Sequence, residues 1–278
     1  MNKLKNRLTL LILPALLFLC SCTQTDQMAF HHTKKTTVQV FEQIPPDFLP
    51  RKLTVVSAGD SLTQGVGDST HQGGYLPYLK IMLEKERGIQ EVDFYNYGVT
   101  GNRTTQLLKR LKTPEMKDAL QKADLVILTI GGNDIMKVVR DNITDLQLSK
   151  FTKEKESYQT HLTQIMEAIV QENPHSSIVL VGLYNPFSKW FSDIKEMDEI
   201  VAEWNQTGQN VIANYPNGFF VPIEDVFLHA NENLLFTDNF HPNDKGYELI
   251  AQRLNQTLEE RILPELDKKP YLVNTREN

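Results

Sequence analysis

Past an initial apolar stretch and a polar segment, hydrophobic positions fall into short continuous runs separated by longer amphipathic ones. The runs Leu53–Ala58, Val92–Tyr97, Leu125–Ile130, Ile178–Gly182 and Phe219–Pro222 are apolar without alternation. That is the pattern of strands buried on both faces of a parallel sheet. Between them, helical spacing predicts helices over roughly Tyr75–Arg87, Thr104–Leu111, Lys155–Glu172, Met197–Asn214 and Asn243–Ile262. In the last of these, Tyr247, Ile250, Ala251, Leu254 and Leu258 form one apolar stripe. Strand and helix alternate, which implies an α/β three-layer sandwich with a five-stranded parallel sheet and right-handed crossovers. No internal repeat or change of composition divides it.

The first residues follow a different pattern. Lys3, Lys5 and Arg7 precede an apolar run from Leu8 to Leu19. The run is short of the about 20 residues that a membrane-spanning helix needs, and it reads as a secretory signal. It ends in Leu19-Cys20-Ser21-Cys22, which resembles a bacterial lipobox with cleavage after Ser21 and lipid attached to Cys22. Residues 1–21 are therefore expected to be a leader, 22–52 a tether, 53–266 the folded domain and 267–278 a C-terminal tail. The tether holds His31-His32, a pair read as solvated rather than metal-binding, and then Pro45, Pro46 and Pro50. The expected setting is extracytoplasmic, with the domain held at the bacterial cell membrane through Cys22.

Charge narrows the partners. The 278-residue chain has a formal net charge of −6, and removing residues 1–21 takes three basic and no acidic residues, giving −9. A nucleic-acid partner would call for a basic face and is not expected. With Cys22 acylated, no disulfide is expected. A domain of about 220 residues buries enough apolar surface without one.

In a parallel sheet, ligands bind outside the carboxyl ends of the strands. Four candidate segments fall on that rim. Gly59-Asp60-Ser61-Leu62 follows the first strand, and Ser61 is either a helix N-cap or a nucleophile. The Gly-x-Ser-x-Gly elbow is absent, because position 63 is Thr. Gly98-Val99-Thr100-Gly101 follows the second strand, and Gly101 is either a turn residue or an open approach to a backbone N–H. Gly131-Gly132-Asn133-Asp134 follows the third; it has turn composition, but Asn133 is also placed to aim an amide at developing charge while Asp134 braces the loop. Asp238-Asn239-Phe240-His241 sits before the last helix, and its spacing lets the carboxylate reach Nδ1 of the imidazole. A helix-capping pair or a metal pair would use the same residues, although no third ligand has convincing spacing.

Together these four blocks resemble the GDSL/SGNH hydrolase family, named for the Ser, Gly, Asn and His separated above. The match spans about residues 53–262 in the family's order. The resemblance implies a flavodoxin-like sheet sandwich and cofactor-free ester hydrolysis. Ser61 would be the nucleophile, His241 the general base and Asp238 its orienter. The oxyanion donors would be the Ser61 and Gly101 backbone N–H groups and the Asn133 side chain. With the lipobox in front, the chain resembles lipid-anchored extracellular acylhydrolases of Gram-positive bacteria. The substrate would be a lipid ester or, alternatively, an O-acetylated cell-wall or capsule glycan. A third possibility is a surface lipoprotein that only binds lipid or glycan. The aromatic segment with Tyr184, Phe187, Trp190 and Phe191 is either the lining of an acyl pocket or packing beneath a lid.

Overall fold

The computed structural model describes residues 50–187, 195–228 and 230–267. Five strands form one sheet: β1 Arg51–Gly59, β2 Ile89–Gly98, β3 Leu125–Thr129, β4 Ser177–Val181 and β5 Gly218–Val221. Their order is β2-β1-β3-β4-β5, and every pairing is parallel. This is the expected flavodoxin-like arrangement. All five predicted strands are present, with ends shifted by up to three residues.

The unbroken apolar runs have a simple cause. Alternate residues of β1, β3 and β4 feed two separate cores, whereas β2, at the sheet edge, buries only Ile89 and Val92 and leaves Tyr95 exposed. Val56, Ala58, Val126, Leu128, Ile178 and Leu180 point into a layer with Leu107, Leu120, Leu162, Ile165 and Trp204. Val55, Leu125, Ile127, Val179 and Val181 point the other way, onto Leu79, Leu83, Tyr247, Ile250 and Leu254. A strand covered on both faces has no solvent side to mark with polar residues.

The helices, in chain order, are α1 Ser61–Gln64, α2 Leu76–Leu83, α3 Thr104–Arg110, α4 Pro114–Lys122, α5 Gly132–Asp141, α6 Leu148–Glu172, α7 Lys195–Ile212, α8 Glu224–Leu228, α9 Asp244–Thr257 and α10 Leu263–Asp267. Several helices begin or end away from the spacing expected above. Helix α2 stops at Leu83 rather than Arg87, and α6 starts at Leu148 rather than Lys155. The helix expected over Asn243–Ile262 is α-helical to Thr257 and then widens into a π-turn, Leu258–Ile262. Helix α4 was not anticipated, although Thr113 accepts from the Met116 N–H as its N-cap and Pro114 follows at the first position. Helix α5 begins where turn composition was expected, at Gly132.

The strand order reverses between β1 and β3. β1 connects outward to β2, whereas the chain beyond β2 crosses back to β3 and continues to β4 and β5. At that switch point the two neighbouring crossovers leave a crevice beyond the carboxyl ends. The register aligns Gly59 with both Gly98 and Thr129, and Thr129 with Val181, so the turns after β1, β2, β3 and β4 share one rim.

Candidate active site

β1 ends at a close crossing. A Cβ on Gly59 would lie 2.0 Å from the Thr129 carbonyl oxygen, so only glycine fits there. The Asp60 N–H then donates to that carbonyl at 3.0 Å. Its carboxylate caps α1, accepting from the Leu62 N–H at 3.1 Å and the Thr129 hydroxyl at 2.9 Å. Burial pushes the Asp60 carboxyl up to about 7, against those hydrogen bonds. The capping role considered for Ser61 therefore belongs to Asp60. Ser61 is the first helical residue, and Gly65, in the left-handed region at φ 88°, ends α1 after one turn.

Far along the chain, Asp238 and His241 complete a hydrogen-bonded line to this serine. One carboxylate oxygen of Asp238 accepts from the backbone N–H groups of Phe240 and His241, at 2.9 and 3.0 Å. This Asx-type turn frees the other oxygen, which lies 2.6 Å from His241 Nδ1. His241 Nε2 is 2.9 Å from Ser61 Oγ. Partial burial alone would raise the Asp238 carboxyl. The hydrogen bonds from His241 and from the backbone outweigh it and hold the group below the usual carboxylate range. Asn243 then caps α9 by accepting from the Gly246 N–H at 3.0 Å.

The turns after β2 and β3 are stapled to each other. Asn133 donates through Nδ2 to the Asn102 carbonyl at 3.1 Å, which leaves the second N–H of the amide available. Asp134 is buried and accepts from both the N–H and the hydroxyl of Thr104, at 3.1 and 2.7 Å. It braces the loop, as its position suggested. Gly101 sits at φ 77° with open space where a side chain would be. Arg110 reaches the same loop, donating to Asn102 Oδ1 and to the Tyr97 carbonyl.

A cleft containing about 630 Å³ of empty space, part of it open to solvent, lies against Ser61 and Asn133. Its walls include Ile135, Met136, Leu183, Tyr184, Phe187 and Phe240. Tyr184 also stacks on Phe227 with ring centroids 3.9 Å apart and donates to the Phe240 carbonyl at 2.6 Å. Of the aromatic segment singled out in the sequence, Tyr184 and Phe187 face the cleft, while Trp190 and Phe191 lie outside the described residues. Cys22 lies outside them as well. Among the described residues, no group of three or more His, Cys, Asp or Glu side chains could hold a metal ion.

The structure thus brings Ser61, Asn133, Asp238 and His241 together on the switch-point rim, with the Gly101 turn stapled beside them. Two contributors were not anticipated. Thr129, at the end of β3, orients Asp60, and the Asn102 carbonyl fixes Asn133. A Thr near the end of the third apolar run and the Asn after Gly101 are the only traces they leave in the sequence.

The profile of the GDSL-like lipase/acylhydrolase family matches residues 57–249. The uncharacterized protein YpmR of Bacillus subtilis (strain 168) is 34% identical over 214 residues, covering 76% of this chain and 84% of that protein. The spore germination lipase LipC of Bacillus licheniformis is 26% identical over 208 residues, covering 73% of this chain and 94% of that protein. Among solved structures, the lipase Lip_vut3 from a goat rumen metagenome shares the fold with a TM-score of 0.67. It is 24% identical, with 73% of this chain and 96% of that one covered.

Proposed function

The chain belongs to the GDSL-like lipase/acylhydrolase family and is an ester hydrolase, and from that premise we propose that it cleaves carboxylic esters through an acyl-enzyme on Ser61. The hydrogen-bonded line Asp238–His241–Ser61 carries this reading. His241 Nε2 takes the Ser61 proton as Oγ attacks the ester carbonyl. The carbonyl oxygen gains negative charge and is held by the Ser61 and Gly101 N–H groups and the Asn133 amide. His241 then gives its proton to the leaving alcohol. The resulting acyl-enzyme is hydrolysed when His241 deprotonates a water. Asp238 keeps the imidazole in one tautomer and orientation throughout.

The acyl group we assign is a fatty chain of medium length. An acetyl group would leave the apolar walls of the cleft bare, so the glycan O-acetylesterase alternative fits them less well. A binding-only role has no need for a base held on a serine. With Cys22 lipidated, the domain would act at the outer face of the membrane, close to such esters.

Two outcomes test this. In a nitrophenyl ester series, octanoate should exceed acetate in kcat/KM by about 50-fold. Burying half of its six added methylenes is worth roughly 2.4 kcal/mol at about 0.8 kcal/mol each. A preference for acetate would sink the fatty-acyl assignment. Asn133→Ala should lower kcat by about 10²- to 10³-fold, the usual cost of one oxyanion donor. A variant with wild-type kcat would remove Asn133 from the mechanism.

A further inference from the structure

A second, open trough containing about 1100 Å³ of space lies between the loop after α1 and the segment leading to His241. Gln64, Gly65, Gly67, Ser69, His71 and Phe236 line it. One of its lining glycines, Gly67, packs against the chain at His241 and Pro242. A Cβ on Gly67 would lie 3.4 Å from His241 Cβ and 3.0 Å from Phe236 Cβ. The Phe236 N–H also donates to the His241 carbonyl at 2.7 Å. The apolar cleft is lined by Ser61 and Asn133, and the His241 side chain lies between the two spaces' linings without being part of either.

Acyl-transfer chemistry assigns the two spaces. The carbonyl oxygen must face Asn133, and the leaving oxygen must face His241 Nε2, which protonates it. The two halves of an ester therefore diverge from Ser61, the acyl chain into the apolar cleft and the alcohol toward His241. On the reading of Ser61 and His241 given above, we propose that the trough is the alcohol subsite and that it takes a neutral polyol, a glycerol unit or a sugar ring.

The lining carries the choice of polyol. Gln64 Oε1 accepts from the N–H and the hydroxyl of Thr100, both at 2.6 Å. Its amide N–H₂ and the His71 ring make no hydrogen bond among the described residues and are free to meet hydroxyls. Phe236 is 39% exposed and offers an apolar face to the C–H side of a polyol. His71 is presented rigidly at φ 56°, because the buried Asp68 carboxylate accepts from the N–H groups of Thr70, Gln72, Gly73 and Gly74 around it. Among the described residues no lysine or arginine lines the trough, and Asp68 is part of its wall, so an anionic phosphate headgroup would meet charge of its own sign.

The test uses the full chain and three esters of one acyl group: methyl octanoate, monooctanoylglycerol and octanoylglucose. A shared acyl chain cancels the apolar cleft, so kcat/KM ratios report the alcohol alone. The wild type should prefer at least one polyol ester over the methyl ester by about tenfold or more, the scale of a few matched polar contacts. The glycerol and glucose arms tell a lipid backbone from a glycan. His71→Ala and Phe236→Ala should each collapse that preference. Ratios measured on one preparation do not depend on how much of a variant is folded. A smaller wild-type preference, or one retained in both variants, overturns the proposal. Methyl octanoate turnover abolished by Ser61→Ala while the ratio stays flat would sink the subsite alone. Turnover that survives Ser61→Ala would instead sink the reading it rests on.

Discussion

Ser61→Ala should lower kcat/KM for octanoyl esters by about 10⁴-fold or more and abolish covalent labelling by a fluorophosphonate. The size follows from what the substitution removes and what it leaves. The hydroxyl is the proposed nucleophile and the sole partner that His241 Nε2 has among the described hydrogen bonds. Without it no acyl-enzyme forms, and only water attack within the oxyanion site persists. The fold should be nearly untouched. Asp60, not Ser61, caps α1, and the hydroxyl contributes one hydrogen bond, worth about 1 kcal/mol. Circular dichroism and the melting temperature should therefore stay close to wild type while activity disappears. A well-folded Ser61→Ala protein that hydrolyses esters at a tenth of the wild-type rate would reject Ser61 as nucleophile.

How much of this was legible in the sequence depended on the range of the signal. Strands such as Leu125–Thr129 stood out because both faces are covered, leaving an uninterrupted apolar run. Their carboxyl ends mark a single rim by topology alone, so residues as distant as Ser61 and His241 could be assigned to one place. Helix α5 was lost because Gly131-Gly132-Asn133-Asp134 has the composition of a turn. Its stripe of Ile135 and Val138 begins only after two glycines with poor helix propensity. Capping at α1 was undecidable from residue types, since Asp60 and Ser61 are adjacent and both are good caps. The fold separates them, because only the Asp60 carboxylate reaches the Leu62 N–H. The apolar cleft left least trace. Its walls come from α5, the loop after β4 and Phe240, and no local spacing links such remote pieces.

Asp238→Asn isolates a different part of the mechanism, because it changes protons with almost no change of shape. Asn keeps an oxygen that can accept from the Phe240 and His241 N–H groups, so the turn that carries the imidazole should survive. At the second position a carboxylate oxygen 2.6 Å from His241 Nδ1 becomes an amide. If the amide presents its N–H₂ there, Nδ1 must accept, and the single ring proton moves to Nε2. A base that already carries a proton on Nε2 cannot take one from Ser61. The expected loss is about 10⁴-fold in kcat, the scale of wrong-tautomer substitutions in comparable triads. The wild-type carboxyl is held below the usual carboxylate range, so it remains ionised throughout the neutral and mildly acidic range in which the base must work. Raising the pH offers the variant only partial relief, because hydroxide attack bypasses the serine instead of restoring the tautomer. Adding Ser61→Ala to Asp238→Asn should cost little beyond Ser61→Ala alone, since the two residues act as one unit. Full additivity of the two losses, measured as kcat for one ester across the four proteins, would show that Asp238 acts apart from the Ser61–His241 pair.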